Sequence, residues 1–262
     1  MESLDGVADA LGVGGADIWL VTESRRYAFR EILGLIRGVK KTPVVDGSGL
    51  KHTLERKTVE RLQEEGTVDF RNERVLLVSA VDRFGMAQAL DKVCPQTVYG
   101  DFLFGLGLPL RIRKYSTVSK LASVLLPLVT RLPFQWFYPT GEKQEHRKPK
   151  FPDVFAWATF ICGDWHYIRR YAPDDLSGKT VMTQTLRSAD LDWLKSTGAR
   201  RAITTTPEMA GETFATNVME GVLVTLIDKP LPEITEADYL AKLDELGWRP
   251  TVFELSPALV QL

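Results

Sequence analysis

The stretch from Arg74 to Leu90 constrains the fold most. Val75 to Val78 is an uninterrupted apolar run, the pattern of a strand buried on both faces, as in a parallel sheet. A polar turn, Ser79 to Arg83, follows it. From Gly85 to Leu90, small residues fall on one side while Met86 and Leu90 stand four apart on the other, which suits a helix start. Strand, tight turn and helix open a doubly wound domain. The helix N-terminus directs free N–H groups to the space above the sheet, a natural place for a phosphate.

The turn is a degenerate form of the glycine fingerprint for dinucleotides. Only Gly85 stands near the expected place, with Ser79 and Ala80 where glycines usually are. The next apolar run, Thr97-Val98-Tyr99, ends at Gly100-Asp101. An acidic residue at that point, about 20 residues on, is where a ribose 2′-hydroxyl would be held. The plainer alternative is that Asp101 caps the next segment.

The chain has 262 residues, enough for one large domain or two modest ones, and 44% of them are hydrophobic, so it can bury a real core. A formal net charge of -1 argues against a chain-wide nucleic-acid footprint. Cys94 and Cys162 lie far apart, and the three histidines are scattered, so neither a disulfide framework nor a Cys/His metal site is expected. The N-terminus reads as acidic and small, with no signal peptide. The apolar stretch Leu121 to Val129 contains Pro127 and is too short to span a bilayer. A cytoplasmic protein is expected.

Residues 7–13 and 17–21 read as short strands around Gly14-Gly15, and Ser24 as the cap of a helix from Arg25 to Val39. A strand at Thr42 to Val45 ends at Asp46, and a helix follows from about Leu50 to Glu65. This first portion, 1–66, is expected to be a smaller α/β domain on the substrate side. It starts within a few residues of a strand, so a further N-terminal unit is expected. Residues 67–262 are expected to form a Rossmann-like doubly wound parallel sheet with a helical insertion at 102–150. An insertion that long between strands is uncommon unless functional. It carries an apolar helix at Ser116 to Leu132, a lid, dimer face or sheet-edge cover. It also carries a basic run, Lys143 to Lys150, either an anion contact or a solvated loop. Later strands are expected at 159–162, 179–182, 201–203 and 251–255, with helices at 188–197, 214–227 and 235–247; the first of these is capped by Ser188. The apolar helix 214–227, with Asn217 and Glu220 within it, is either interior or a dimer face.

Ligands of an open parallel sheet bind outside the carboxyl ends of its strands. Those ends are Asp46 to Gly49, Ser79 to Gly85, Asp101, Gly163 to His166, Thr183 to Thr185 and Thr204 to Thr206. Nearly all are polar or Gly-rich, which argues for a shared polar crevice. Asp46 and Lys51 lie on one strand-helix turn, and a carboxylate beside an ammonium suits proton transfer at a hydroxyl. The plainer reading is a charge pair at a helix start. His166, the strand-end histidine, is an alternative acid-base group or a packing residue beside Trp165 and Tyr167. Cys162 is a candidate nucleophile or, more simply, a buried structural thiol.

Several segments together resemble the bacterial family known as quinate 5-dehydrogenase. They are Thr42-Pro-Val-Val-Asp-Gly-Ser-Gly-Leu-Lys51, Val78-Ser-Ala-Val-Asp-Arg-Phe-Gly-Met-Ala87, Tyr138-Pro-Thr-Gly141, Gly163-Asp-Trp-His166, Thr204-Thr-Thr-Pro207 and Phe214-Ala-Thr-Asn-Val-Met-Glu220. The similarity runs over almost the whole chain. It implies a weaker likeness to shikimate and quinate dehydrogenases, which pair a substrate domain with a Rossmann domain and use a Lys–Asp pair with NAD or NADP. On that likeness Asp46 takes the place of the catalytic Asp. Their Lys lies well upstream of the Asp, where this chain has Arg25 and Arg26 and no lysine before Lys40.

The expected function is hydride transfer between a nicotinamide cofactor, NAD or NADP, and a secondary alcohol such as quinate. Asp46, Lys51 and His166 are the catalytic candidates. Ser79, Asp82, Arg83, Gly85, Asp101, Gly163, Thr183 and Thr204 are the cofactor candidates, with Arg83 also able to grip a phosphate. No metal is expected; the substrate is expected to be a small anion, and a homodimer is possible. The alternative is a non-catalytic module that binds a nucleotide or phosphorylated metabolite.

Overall fold

A computed structural model describes residues 1–21, 26–131, 147–209 and 212–255. The N-terminal portion contains β1 (Leu11–Gly12), β2 (Trp19–Val21), β3 (Arg26–Ala28), α1 (Arg30–Ile36) and β4 (Val44–Val45). β1 pairs in parallel with β4, and β2 forms an antiparallel pair with β3. The expected helix from Arg25 therefore starts later, because Arg26 to Ala28 continue as a strand against β2; Ser24 lies outside the described residues.

α2 (Ser48–Glu64), β5 (Val75–Leu77), α3 (Phe84–Val93) and β6 (Thr97–Tyr99) come next. The lead-in to β5 is a short 3₁₀ turn, Phe70–Asn72. Asp101–Gly105 forms a π-helical turn, and α4 (Tyr115–Val129) carries Pro127 within it. The chain continues through α5 (Pro152–Trp157), β7 (Phe160–Cys162), α6 (Trp165–Tyr171), β8 (Thr180–Thr183), α7 (Ser188–Ser196) and β9 (Arg201–Thr204). It closes with β10 (Glu208–Met209), β11 (Glu212–Thr213), α8 (Thr216–Leu226), α9 (Glu236–Glu245) and β12 (Thr251–Glu254). Ser188 is the first residue of α7, not its cap; the Asp190 carboxylate accepts the Arg187 N–H at 3.0 Å and closes that helix start. β10 and β11 make an antiparallel pair that the apolar pattern did not announce.

The central sheet has six strands in the order β12-β9-β8-β7-β5-β6, all parallel except β12, which runs antiparallel to β9. Beyond β6, among the described residues, lies an isolated antiparallel bridge, Tyr99 to Ile112. Strand residues alternate between two cores. Val75, Leu77, Phe160, Cys162, Met182 and Ile203 face α3, α4 and the N-terminal portion. Leu76, Val78, Ile161, Val181 and Ala202 face α5, α6 and α7. This two-sided burial is why the strands read as unbroken apolar runs. A third core joins α2, α8 and α9 through Leu50, Leu54, Leu223 and Leu243. Among the described residues, no helix is long and apolar enough to cross a membrane.

Candidate functional site

The chain leaves β5 toward α2's neighbour α3 and enters β7 from the other side, so the crevice between β5 and β7 is the topological switch point where doubly wound sheets place ligands. A polar cleft of about 210 Å³ lies there. The turns after β4, β5, β7 and β8 all reach it, through Asp46, Asp82, Asp164, His166 and Gln184, and the β1–β2 connection adds Asp17. The shared crevice expected from the polar strand ends is therefore present, and Asp46, Lys51 and His166 all line it.

Their roles differ from the expected ones. Lys51 projects from the first turn of α2, but its ammonium meets Asp17 at 2.5 Å and Asp82 at 3.3 Å, with no bond to Asp46. Asp46 is occupied by backbone donors: Oδ2 accepts the N–H groups of Ile18 and Trp19 at 2.6 and 2.8 Å, and Oδ1 accepts that of Ser48 at 3.0 Å. It ties β2 to the start of α2. Lys51 thus pairs with Asp17, where Asp46 was the expected partner. Burial lifts the Asp17 carboxyl to about 7, against the pull of Lys51 and with the help of Asp82. Burial also opposes ionisation of Asp82, but Lys51 and Arg83 outweigh it and leave Asp82 at about 2. Of the two carboxylates on Lys51, Asp17 is the one that takes up a proton more readily.

Behind this pair lies a second ionic layer. Arg83 is 1% exposed. Its guanidinium pairs with Glu55 from α2, with Asp82 at 3.2 Å and with Asp164 at 2.8 Å. Asp164 in turn caps α6 by accepting the His166 and Tyr167 N–H groups, and also accepts from Gln184. Arg83 therefore braces the switch point from within, each of its three nitrogens facing a carboxylate. His166 is exposed at the cleft wall, in the first turn of α6.

The remaining cofactor candidates do not assemble a phosphate cradle. The N–H groups of Ala80 and Val81 are taken by Asp101 Oδ1 at 3.0 and 2.9 Å. Asp101 thus caps the β5 turn from the end of β6, and not the segment that follows it. Gly85 faces α2: a Cβ there would lie 2.1 Å from the His52 carbonyl oxygen, so this glycine permits a close helix crossing. Gly163, at φ 124°, lies against Val78 Cγ2, where a Cβ would approach to 2.8 Å. Thr183 donates to Gln184 Oε1 and Thr204 to the Thr206 carbonyl, both buried and away from the cleft lining. Ser79 lines a neighbouring apolar chamber. The residues at the β5 turn do not fit the pyrophosphate of a dinucleotide.

Cys162 is wholly buried in β7, where burial holds its thiol well above the usual range, so it is a structural thiol. In the basic run, Arg147 pairs with Asp174 and Lys150 lies over the Tyr171 ring, while Lys143 and His146 lie outside the described residues. No group of three or more His, Cys, Asp or Glu among the described residues could hold a metal ion. Sequence reasoning missed Asp17, Glu55 and Asp164 as members of one network. An acidic residue opening the apolar run Asp17 to Val21 was the available signal for the first.

The chain belongs to the family described as Domain of unknown function (DUF8754), which matches residues 49–255. A second family, Domain of unknown function (DUF8753), matches residues 1–46. The border between them falls on the turn from Asp46 to α2, upstream of the domain border expected at residue 66. No curated protein and no solved structure matches the chain.

Proposed function

We propose that this chain is an oxidoreductase of the kind its resemblance implies, acting on a secondary alcohol of a hydroxylated ring such as quinate. The observation that carries the reading is the Lys51 ammonium held between Asp17 and Asp82 in the polar cleft at the switch point. Asp17, near neutrality in its proton affinity, is matched to take a hydroxyl proton, and Lys51 is placed to orient the oxygen and stabilise its developing charge. The Rossmann-like description of the domain belongs to the same reading. It is supported by the doubly wound arrangement and the position of the cleft.

A nicotinamide nucleotide would have to be gripped elsewhere than at the β5 turn, whose donors are spent on Asp101. That observation favours a second reading, a binding module without hydride chemistry. The cleft's charges also matter. Asp17, Asp46, Asp82 and Asp164 outnumber Lys51 and Arg83 on its walls, so of a hydroxy acid such as quinate the cleft takes the hydroxyl groups and leaves the carboxylate outside. Calorimetric titration with oxidised and reduced NAD and NADP, followed by assay of nicotinamide absorbance with quinate and shikimate, separates the readings. Binding and turnover that Lys51→Met abolishes support the oxidoreductase. Absence of binding by all four nucleotides rejects it and leaves the binding module.

A further inference from the structure

Beside the polar cleft lies a second chamber of about 150 Å³ over the ends of β5 and β6. Its walls are Leu20, Ile112, Val118, Leu121 and Leu126, with Asp101 among them. Two residues, Asp82 and Tyr167, line both spaces, so the chambers share a wall and adjoin. In another protein a cavity of roughly 150 Å³ lined by Leu, Ile and Phe accommodates a benzene ring. The match in size and lining points to a ring or a group of similar bulk.

The chamber is not uniformly apolar. Asp101 Oδ1 caps the β5 turn, but its Oδ2 is buried with no hydrogen-bond partner. That atom is enclosed by the protein and does not open onto the chamber, so the carboxyl acts on a ligand through its charge and not by a hydrogen bond. A carboxylate or phosphate would meet it with like charge.

We propose that the polar cleft and the apolar chamber are two halves of one ligand site, and that the ligand joins a hydroxylated portion to an uncharged ring. This rests on the reading of the polar cleft as the place where the hydroxylated portion binds. It sets the substrate class as an amphiphile, with α4 from the long insertion serving as the wall that makes the second half.

The test uses the full chain and three probes: phenol, methyl glucoside and phenyl glucoside, each titrated by ligand-observed NMR. Phenol is expected to bind saturably. Phenyl glucoside is expected to bind at least about tenfold more tightly than either half alone, since the second contact becomes intramolecular. Ala122→Phe fills the chamber and should cost phenol about tenfold or more in affinity while sparing methyl glucoside. Leu125→Trp, at a position 39% exposed, makes the same test where crowding threatens folding less. Lys51→Met should weaken methyl glucoside and spare phenol. The proposal falls if phenol binding is not saturable, if neither filling variant weakens it, or if phenyl glucoside binds no better than phenol. These readouts need no nicotinamide and no turnover. Failure of the oxidoreductase reading therefore leaves them standing, and their failure leaves that reading to its own assay.

Discussion

At the scale of single residues, the site turns on which carboxylate faces which cation. Asp17 and Lys51 meet in the cleft, so proton transfer depends on Asp17 being ionised when it acts as a base. With its carboxyl at about 7, the rate of alcohol oxidation should rise with pH and level off above that value. Asp17→Asn should remove the inflection and lower turnover by roughly 10²–10⁴-fold, the usual contribution of a placed acid-base group. A pH–rate profile unchanged in the variant would show that the proton goes elsewhere, with His166 the next candidate. Arg83 has a different duty. It is buried against Glu55, Asp82 and Asp164, and removing it strands those charges. Arg83→Met should therefore cost about 3–5 kcal/mol of stability in urea unfolding, in line with a broken buried ion pair. A loss under about 1 kcal/mol, the range of exposed pairs, would mean that the network is hydrated.

At the scale of elements, the strands were legible because each is buried on both faces and needs no alternation. The run Val75 to Val78 and the runs ending at Cys162 and Ile203 all landed in the central sheet. The helices α2 and α8 were likewise readable from their apolar residues, and α7 and α9 from signals at their ends. Elements whose form depends on distant partners were not. Arg26 to Ala28 is a strand only because β2 lies beside it, and α6 is marked in sequence chiefly by Asp164 as a cap. Gly85 shows the same limit at the site. Its place in the sequence suggested a phosphate turn, but its neighbour in space is the His52 carbonyl of α2, 33 positions earlier in the chain. The crossing of α2 and α3 depends on that missing side chain. Gly85→Ala should force the helices apart and cost roughly 1–3 kcal/mol, the range for an overpacked core. Thermal unfolding measures it. A variant as stable as the parent would show that the two helices can slide without loss. Because Lys51 rides on α2 and Asp82 precedes α3, the same substitution should also loosen the Lys51–Asp82 contact.

At the scale of the molecule, one buried carboxylate helps to tie the N-terminal portion to the C-terminal helices. Glu220 of α8 accepts the N–H groups of Gly47 and Gly49 at 2.6 and 3.2 Å and the Tyr239 hydroxyl of α9 at 3.1 Å. It thus ties the turn between the two family regions to two helices more than 160 residues later, a contact no local pattern could announce. Burial, with Asp46 adding to it, pushes its carboxyl up to about 7 from an ordinary 4.5, against the pull of its three donors. A raised carboxyl affinity means that the folded chain keeps a proton that the unfolded chain has lost. Its stabilising share is complete below about pH 4.5 and is lost as the pH climbs to about 7. The parent protein should therefore lose on the order of 1–3 kcal/mol through this group across that window. Glu220→Gln keeps an oxygen to accept bonds but cannot ionise, so its stability should fall less steeply over the same range. Asp17 and Asp101 titrate in both proteins, and the difference between the two stability curves isolates Glu220. Urea unfolding from about pH 5 to about pH 8 makes the comparison, and parallel curves would mean that Glu220 stays ionised in its buried place.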